Sequence, residues 1–365
     1  MKVVIIGQSP AVIAAIKTLR QDNGDFDITL ISTDGNLPYD RSLFPRLITQ
    51  KGKETGLFCE TAEFYQSLRV ELVCNKELSR INFTRRKVFL ADKLQVEYDC
   101  LILADAPQPR LPDRKGVRKP GVFTLARIEA MRDLVRYLPF IETAVVEACG
   151  WTGIETALAL KGAGKDVVVV SGQETLLPGV LPQEMSPLLV ALLDKRGVRV
   201  LFNTRVEDVL GEGECKAVRL SSGKVLAAEM FIVEDIRPDL RFLEGADIVV
   251  SEGIAVIGTM QTSAPSAYAV DVMAQLQEPL LVGSYALPTS IGAAQAMVSA
   301  SSIKGVAATF TLDPVEPRSR LETVFSSQEV TQAAGSLQPA EVFPQQVEGD
   351  RPPAETVACD PAPNP

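Results

Sequence analysis

Gly7, Ser9 and Val12 fall at the spacing of the three glycines in a turn that holds the pyrophosphate of a dinucleotide. Such a turn works through its backbone. Free N–H groups and the positive dipole end at a helix N-terminus attract the phosphates. The first glycine permits the tight turn, the second lets phosphate approach, and the third lets helix pack on strand. Only the first is glycine here, and Pro10 and Ala11 carry the chain from the turn into a helix. The chemistry this predicts is anion binding, with any reaction run by a bound cofactor or by Cys, Lys, Tyr or carboxylate side chains.

Composition removes most other chemistries. The chain of 365 residues contains no histidine, which excludes Ser-His-Asp hydrolysis, Cys-His proteolysis and histidine-ligated metals. Its six cysteines (Cys59, Cys74, Cys100, Cys149, Cys215 and Cys359) are scattered without a C-x-x-C. That spacing argues against a zinc site, an iron–sulfur cluster or a redox dithiol, and fits reduced, buried thiols. A net charge of −9 argues against a nucleic-acid partner. The apolar run at residues 3–6 breaks at Gly7, too early for a signal peptide. No stretch reaches the ~18 uninterrupted apolar residues of a membrane span. A cytoplasmic protein is expected.

The elements that must position the turn are legible around it. Residues 3–6 (VVII) read as a strand buried on both faces, Ala11, Ala14, Ala15 and Leu19 as a helix face, and residues 28–32 (ITLIS) as a second strand. Together they make a βαβ unit. A second unit follows about 140 residues later: a strand at 143–148, a turn at 149–153, a helix at 154–162 and a strand at 166–171. A helix at 184–196, a strand at 198–202 and a hairpin around Ser221-Ser222-Gly223 continue it. Strand-like segments at 86–104 return the chain to the first sheet before it crosses near residue 112. After about residue 245 it comes back through residues 253–256 and a helix at 291–300.

Three strings, VVIIGQSPAVIAAIKTLR, ITLISTDGNLPYDRSLFPRLI and EFYQSLRVEL, resemble the FAD half of the pyridine nucleotide-disulfide oxidoreductase superfamily. The resemblance is closest to its rubredoxin, nitrite and ferredoxin reductase branch. It implies FAD bound at Gly7, Ser9, Pro10 and Ala11, with Asp34 on the adenosine ribose. Arg41 would lie in the loop over flavin and pyrophosphate, and Arg46 near the isoalloxazine. Residues 145–157, VVEACGWTGIETA, resemble the family's NAD(P) turn: Gly150 and Gly153 match its second and third glycines, Glu155 its acid, and Ala148 replaces the first glycine. Ser171-Gly172-Gln173 at the end of the next strand supports no preference for NAD.

The likeness covers about residues 1–310 and has gaps. Leu103-Ala104-Asp105-Ala106-Pro107 stands where the family carries A-T-G, with Thr and Gly gone; this leaves Ala104 at the cofactor and brings Asp105 close to the pyrophosphate, which it would repel unless it points away. The late motif T-S-x-P-x-I-Y-A-x-G-D reads Thr262 to Asp271 with a glycine missing, as if one residue were deleted before Asp271; the resemblance implies that this aspartate hydrogen-bonds the ribityl and phosphate region of FAD. The C-x-x-x-x-C of disulfide reductases is absent.

The expected fold is α/β, with two Rossmann-like dinucleotide-binding domains, the second inserted in the first. Residues 1–112 and 245–310 form the FAD domain and residues 113–244 the NAD(P) domain. Residues 311–365 hold nine prolines, nine acids and three bases, and read as a disordered acidic tail. The function implied is an FAD-dependent oxidoreductase that takes electrons from NAD(P)H and delivers them to a protein or small acceptor. Two alternatives stand beside it: a degenerate relative acting as a binding or scaffold subunit, and a subunit of an electron-transfer complex that keeps FAD alone.

Overall fold

The computed structural model describes residues 1–21, 25–105, 108–148, 150–178, 181–234, 237–276, 289–305, 321 and 324–336. Ten strands form two five-stranded parallel sheets. In chain order they are β1 (Lys2–Ile6), β2 (Asp27–Ile31), β3 (Val70–Val73), β4 (Cys100–Leu103), β5 (Val122–Thr124), β6 (Thr143–Glu147), β7 (Asp166–Val170), β8 (Arg199–Leu201), β9 (Met230–Val233) and β10 (Ala267–Ala269). The first sheet has the order β10-β4-β1-β2-β3, and the second β5-β9-β6-β7-β8.

The two sheets share a four-strand topology and differ in the outermost strand, which comes last in the first sheet (β10) and first in the second (β5). In each, a central strand leads through a turn and a helix to its neighbour, and the chain returns on the other side. A three-stranded antiparallel meander precedes each return strand: Leu78–Asn82, Lys87–Leu90 and Gln95–Glu97 before β4, and Val206–Leu210, Ala217–Leu220 and Val225–Ala227 before β9. The reversal of strand order beside β1 and beside β6 makes the crevice at the carboxyl ends of the strands, where such folds place ligands.

The central strands are buried along both faces, which is why they read as continuous apolar runs. Val3 to Ile6 and Val145 to Val146 are at most 1% exposed. Helix α1 (Pro10–Arg20) covers the first sheet and packs against α7 (Thr289–Ile303) through small residues such as Ala11, Ala15, Ala296 and Ala300. Helix α2 (Phe44–Thr49) of the first unit lies on α5 (Trp151–Gly162) of the second. Helices α3 (Ala62–Ser67), α4 (Ile128–Tyr137) and α6 (Ser186–Lys195) complete the layers. The segment read as one helix over 184–196 is a 3-10 turn, Gln183–Met185, followed by α6. Pro187 in its first turn suits that join.

One expectation is corrected. Part of the segment read as disordered tail forms helix α8 (Ser327–Ser336), docked on α6. Leu321, Phe325, Val330 and Ala333 are buried in the second unit's core. Composition averaged over 55 residues hid this helical spacing. A capping box starts the helix: the Ser326 hydroxyl accepts from the Glu329 N–H at 3.3 Å, and the Glu329 carboxylate accepts from the Ser326 N–H at 3.0 Å. Arg196 on the rim of α6 donates to Glu329 at 2.7 and 3.0 Å. Residues 311–320, 322–323 and 337–365 of that expectation lie outside the described residues.

Candidate functional site: two dinucleotide turns

The first turn leaves β1 at Gly7, whose N–H donates to Ile31 O at 3.0 Å. A Cβ added at Gly7 would lie 3.0 Å from the Ala104 Cβ and 3.2 Å from the Asp105 N. Glycine is therefore required by the close approach of β4. Ser9 is the N-cap of α1, Pro10 its first residue, and Val12 occupies the third glycine's place with no exposure. Val12 thickens the joint between helix and strand without preventing it. Gln8 is fully buried, and its side-chain Nε2 has no hydrogen-bond partner among the described residues. A buried donor left over at a helix N-terminus is what a bound anion would satisfy.

Around this turn lies a buried charge cluster drawn from distant parts of the chain. Arg41 donates through Nη1 to Asp105 Oδ2 at 3.1 Å and through Nη2 to Asp271 Oδ2 at 3.4 Å. Arg127, the N-cap of α4, lies 3.6 Å from the same Asp105 oxygen and 3.5 Å from Asp34 Oδ2. Tyr39 donates its hydroxyl to Asp34 at 2.7 Å. Arg41 is 3% exposed, Asp105 0% and Asp271 4%, so none of these is a surface charge. The expectation for Asp105 resolves simply: it is neutralised by two guanidinium groups. Burial pushes the Asp271 carboxyl above the usual carboxylate range. Arg41 and the Ser9 hydroxyl pull the other way, while the Asp105 and Asp40 charges add to the rise.

Asp271 also corrects the reading of the late motif. Its backbone φ is 55°, in the left-handed region that favours glycine. No deletion is needed: Asp271 stands at the glycine's place, and the buried Val272 follows at the aspartate's. Gln295 on α7 accepts the Asp271 N–H at 2.7 Å and steadies the turn. Arg46 is exposed on α2 and stands outside the cluster.

The second turn is held differently. Gly150 is the N-cap of α5 and Gly153 lies in its first turn. Both N–H groups are taken by one carboxylate: Glu234 Oε2 accepts from Gly150 at 2.8 Å, and Oε1 accepts from Gly153 at 2.7 Å. Glu234 directly follows β9, which runs parallel to β6 up to the pair Val233 and Glu147, so the register sets it beside Ala148. It is 2% exposed. Next to it, Glu147 forms an ion pair with Arg114. Glu155 is half-buried on α5.

Sequence reasoning singled out the turns and missed Arg127 and Glu234. A signal for Glu234 existed: a charged residue directly after the apolar strand MFIV, at the mouth of the second unit. Burial pushes the Cys59 thiol up to about 12 and the Cys215 thiol to about 11, which leaves no thiolate at neutral pH. Cys149 and Cys359 lie outside the described residues.

The chain belongs to the pyridine nucleotide-disulphide oxidoreductase family, whose model matches residues 1–297. It is 30% identical over 323 residues to a rubredoxin-NAD(+) reductase of Pseudomonas putida, covering 87% of this chain and 83% of that one. It is 27% identical over 321 residues to an NADH oxidase of Methanocaldococcus jannaschii, covering 85% and 71%. A ferredoxin reductase from Rhodopseudomonas palustris superposes with a TM-score of 0.76 at 24% identity, over 85% of this chain and 78% of that one. FAD and NAD(P)H are the cofactors of this family, and reductases that serve redox partner proteins are among its members. Among the described residues no helix is long and apolar enough to cross a membrane.

Both donor sets fit the anionic part of a dinucleotide. The first offers the orphaned Gln8 Nε2, Ser9 and the guanidinium of Arg41. The second offers two glycine N–H groups that already hold an anion, the Glu234 carboxylate.

Proposed function

We propose that this chain is a cytoplasmic FAD-dependent oxidoreductase that takes electrons from NAD(P)H and passes them to a protein or small-molecule acceptor. One observation carries the reading: two strand–turn–helix units of the same topology each present buried donors to an anion at the carboxyl end of a parallel sheet. Residues 1–112 and 245–310 would hold FAD, and residues 113–244 the nicotinamide nucleotide. Gln8, Ser9 and Arg41 would face the flavin nucleotide's phosphates and Asp34 its ribose, with Gly7, Pro10, Ala11 and Ala104 shaping the wall. Gly150, Gly153 and Glu155 would face NAD(P).

FAD, when bound, supplies hydride acceptance and electron release. The chain's part is to bind, orient and exclude water, and this needs no side-chain acid or base of neutral pKa. A protein without histidine can do it. The relatives support an onward acceptor: one is named for rubredoxin, and another is the epsilon subunit of an NADH-dependent phenylglyoxylate dehydrogenase of Aromatoleum evansii, 25% identical over 269 residues.

The test is an absorption spectrum of gently purified protein, then anaerobic addition of NADH or NADPH. Visible flavin bands that bleach are expected. A colourless protein that takes up no added FAD overturns the reading. It would select instead the non-catalytic relative.

A further inference from the structure

The proposed function asks the second turn to receive a pyrophosphate, yet Glu234 already holds the N–H groups that would receive it. We infer that Glu234 is a built-in competitor for the nicotinamide nucleotide, a carboxylate latch that must leave the α5 N-terminus before NAD(P)H can dock there. The inference rests on the NAD(P)H reading of this turn.

Three observations support the latch. The bonds are short and bidentate, 2.8 and 2.7 Å to Gly150 and Gly153. They use the N-cap and third-position donors, the pair a capping box would satisfy. The glycine at 153 leaves room for the carboxylate: a Cβ there would lie 2.1 Å from Glu234 Oε2 and 3.0 Å from the Ala148 Cβ. The strand register holds the latch in place, because β9 pairs with β6 up to the residue before Glu234.

A carboxylate and a phosphate seek the same donors for the same reason, the unpaired N–H groups and dipole at a helix start. Two anions cannot share them. The Arg114 guanidinium at this strand end is engaged by Glu147, so the neighbourhood offers a second carboxylate beside the first. An arriving nucleotide must break two charge-assisted hydrogen bonds before it forms its own.

The protein carries a reporter at the spot. Trp151 is the chain's single tryptophan and the first residue of α5, between the two glycines. The experiment titrates full-length wild type, Glu234→Ala and Glu234→Gln with NADH, NADPH and inorganic pyrophosphate. Trp151 fluorescence and thermal melting are the readouts, neither of which depends on turnover. Glu234→Ala is expected to bind all three about tenfold or more tighter than wild type, and to regain melting temperature on binding. Glu234→Gln, which keeps one acceptor, should fall between and serves alone if the alanine variant does not fold. Tighter pyrophosphate binding without nucleotide binding would keep the latch and sink the NAD(P)H reading. Equal responses of wild type and both variants to every ligand would overturn the latch itself.

Discussion

The first turn meets its carboxylates with arginines, while the second meets its carboxylate with bare backbone. The two units share a four-strand topology, and in both the acid arrives from the end of the return strand: Asp105 after β4, Glu234 after β9. At the first turn the acid draws in Arg41 and Arg127, which come from the 3-10 turn Arg41–Leu43 and from the start of α4. At the second it reaches the glycine N–H groups directly. Of two anion sites in one fold, the first is flanked by an ion network and the second is closed by a helix cap. Release should differ accordingly. The network ties several residues to one another, whereas the cap depends on a single side chain.

The largest effect should come from cutting the network. Arg41→Met would leave Asp105 and Asp271 buried with their shared partner gone, at a cost of about 3–5 kcal/mol. Chemical denaturation would measure it. Arg41→Lys should recover part of the loss, because an ammonium cannot fork to two carboxylates as a guanidinium does. If Arg41→Met were as stable as wild type, the two turns would not differ as described.

Glu234→Ala without ligand should cost less, about 1–3 kcal/mol, from two buried donors losing their acceptor. Denaturation with and without pyrophosphate would separate this from a general packing defect.

Asp271→Asn should cost about 0.5–1.5 kcal/mol, because asparagine tolerates the left-handed backbone and keeps a hydrogen-bonding group toward Arg41, which retains Asp105. Its pH dependence is the sharper test. The folded Asp271 holds its proton to a higher pH than the unfolded chain does. Its contribution is therefore fullest below the unfolded carboxyl pKa, and it is lost as pH rises through the raised folded value. The asparagine variant lacks that loss, so its stability relative to wild type should improve as pH rises across this window. A flat difference with pH would contradict the raised pKa.

The smallest effect is expected outside both turns. Arg196→Ala removes an exposed pair with Glu329 and should cost about 0.2–1 kcal/mol, less in high salt. The pair holds the Glu329 carboxyl down to about 2. Its contribution is present above the ordinary carboxyl pKa and is lost as pH falls below it through about 2. Proteolysis near α8 would report it.

How much of this was readable in the sequence depended on range. The two βαβ units were legible because VVII and VVVV are continuous apolar runs followed by turns, and buried parallel strands require that pattern. The capping box at Ser326 and Glu329 was equally local, but it was lost inside an average dominated by proline and acid. Arg41, Asp105 and Asp271 lie 64 and 230 residues apart, so their pairing could not come from spacing. Glu234 needed the pairing of β9 with β6. The left-handed backbone at Asp271 separated a substitution from a deletion, which a string of letters alone does not do.

The most direct measurement is hydrogen exchange of the Gly150 and Gly153 amides by NMR, in unliganded wild type and in Glu234→Ala. Slow exchange is expected at both amides in wild type, and much faster exchange at both in the variant while amides of the β6 core remain protected. Equal exchange at these two amides in both proteins would show that the Glu234 carboxylate does not hold the turn, and the contrast between the two sites would fall with it.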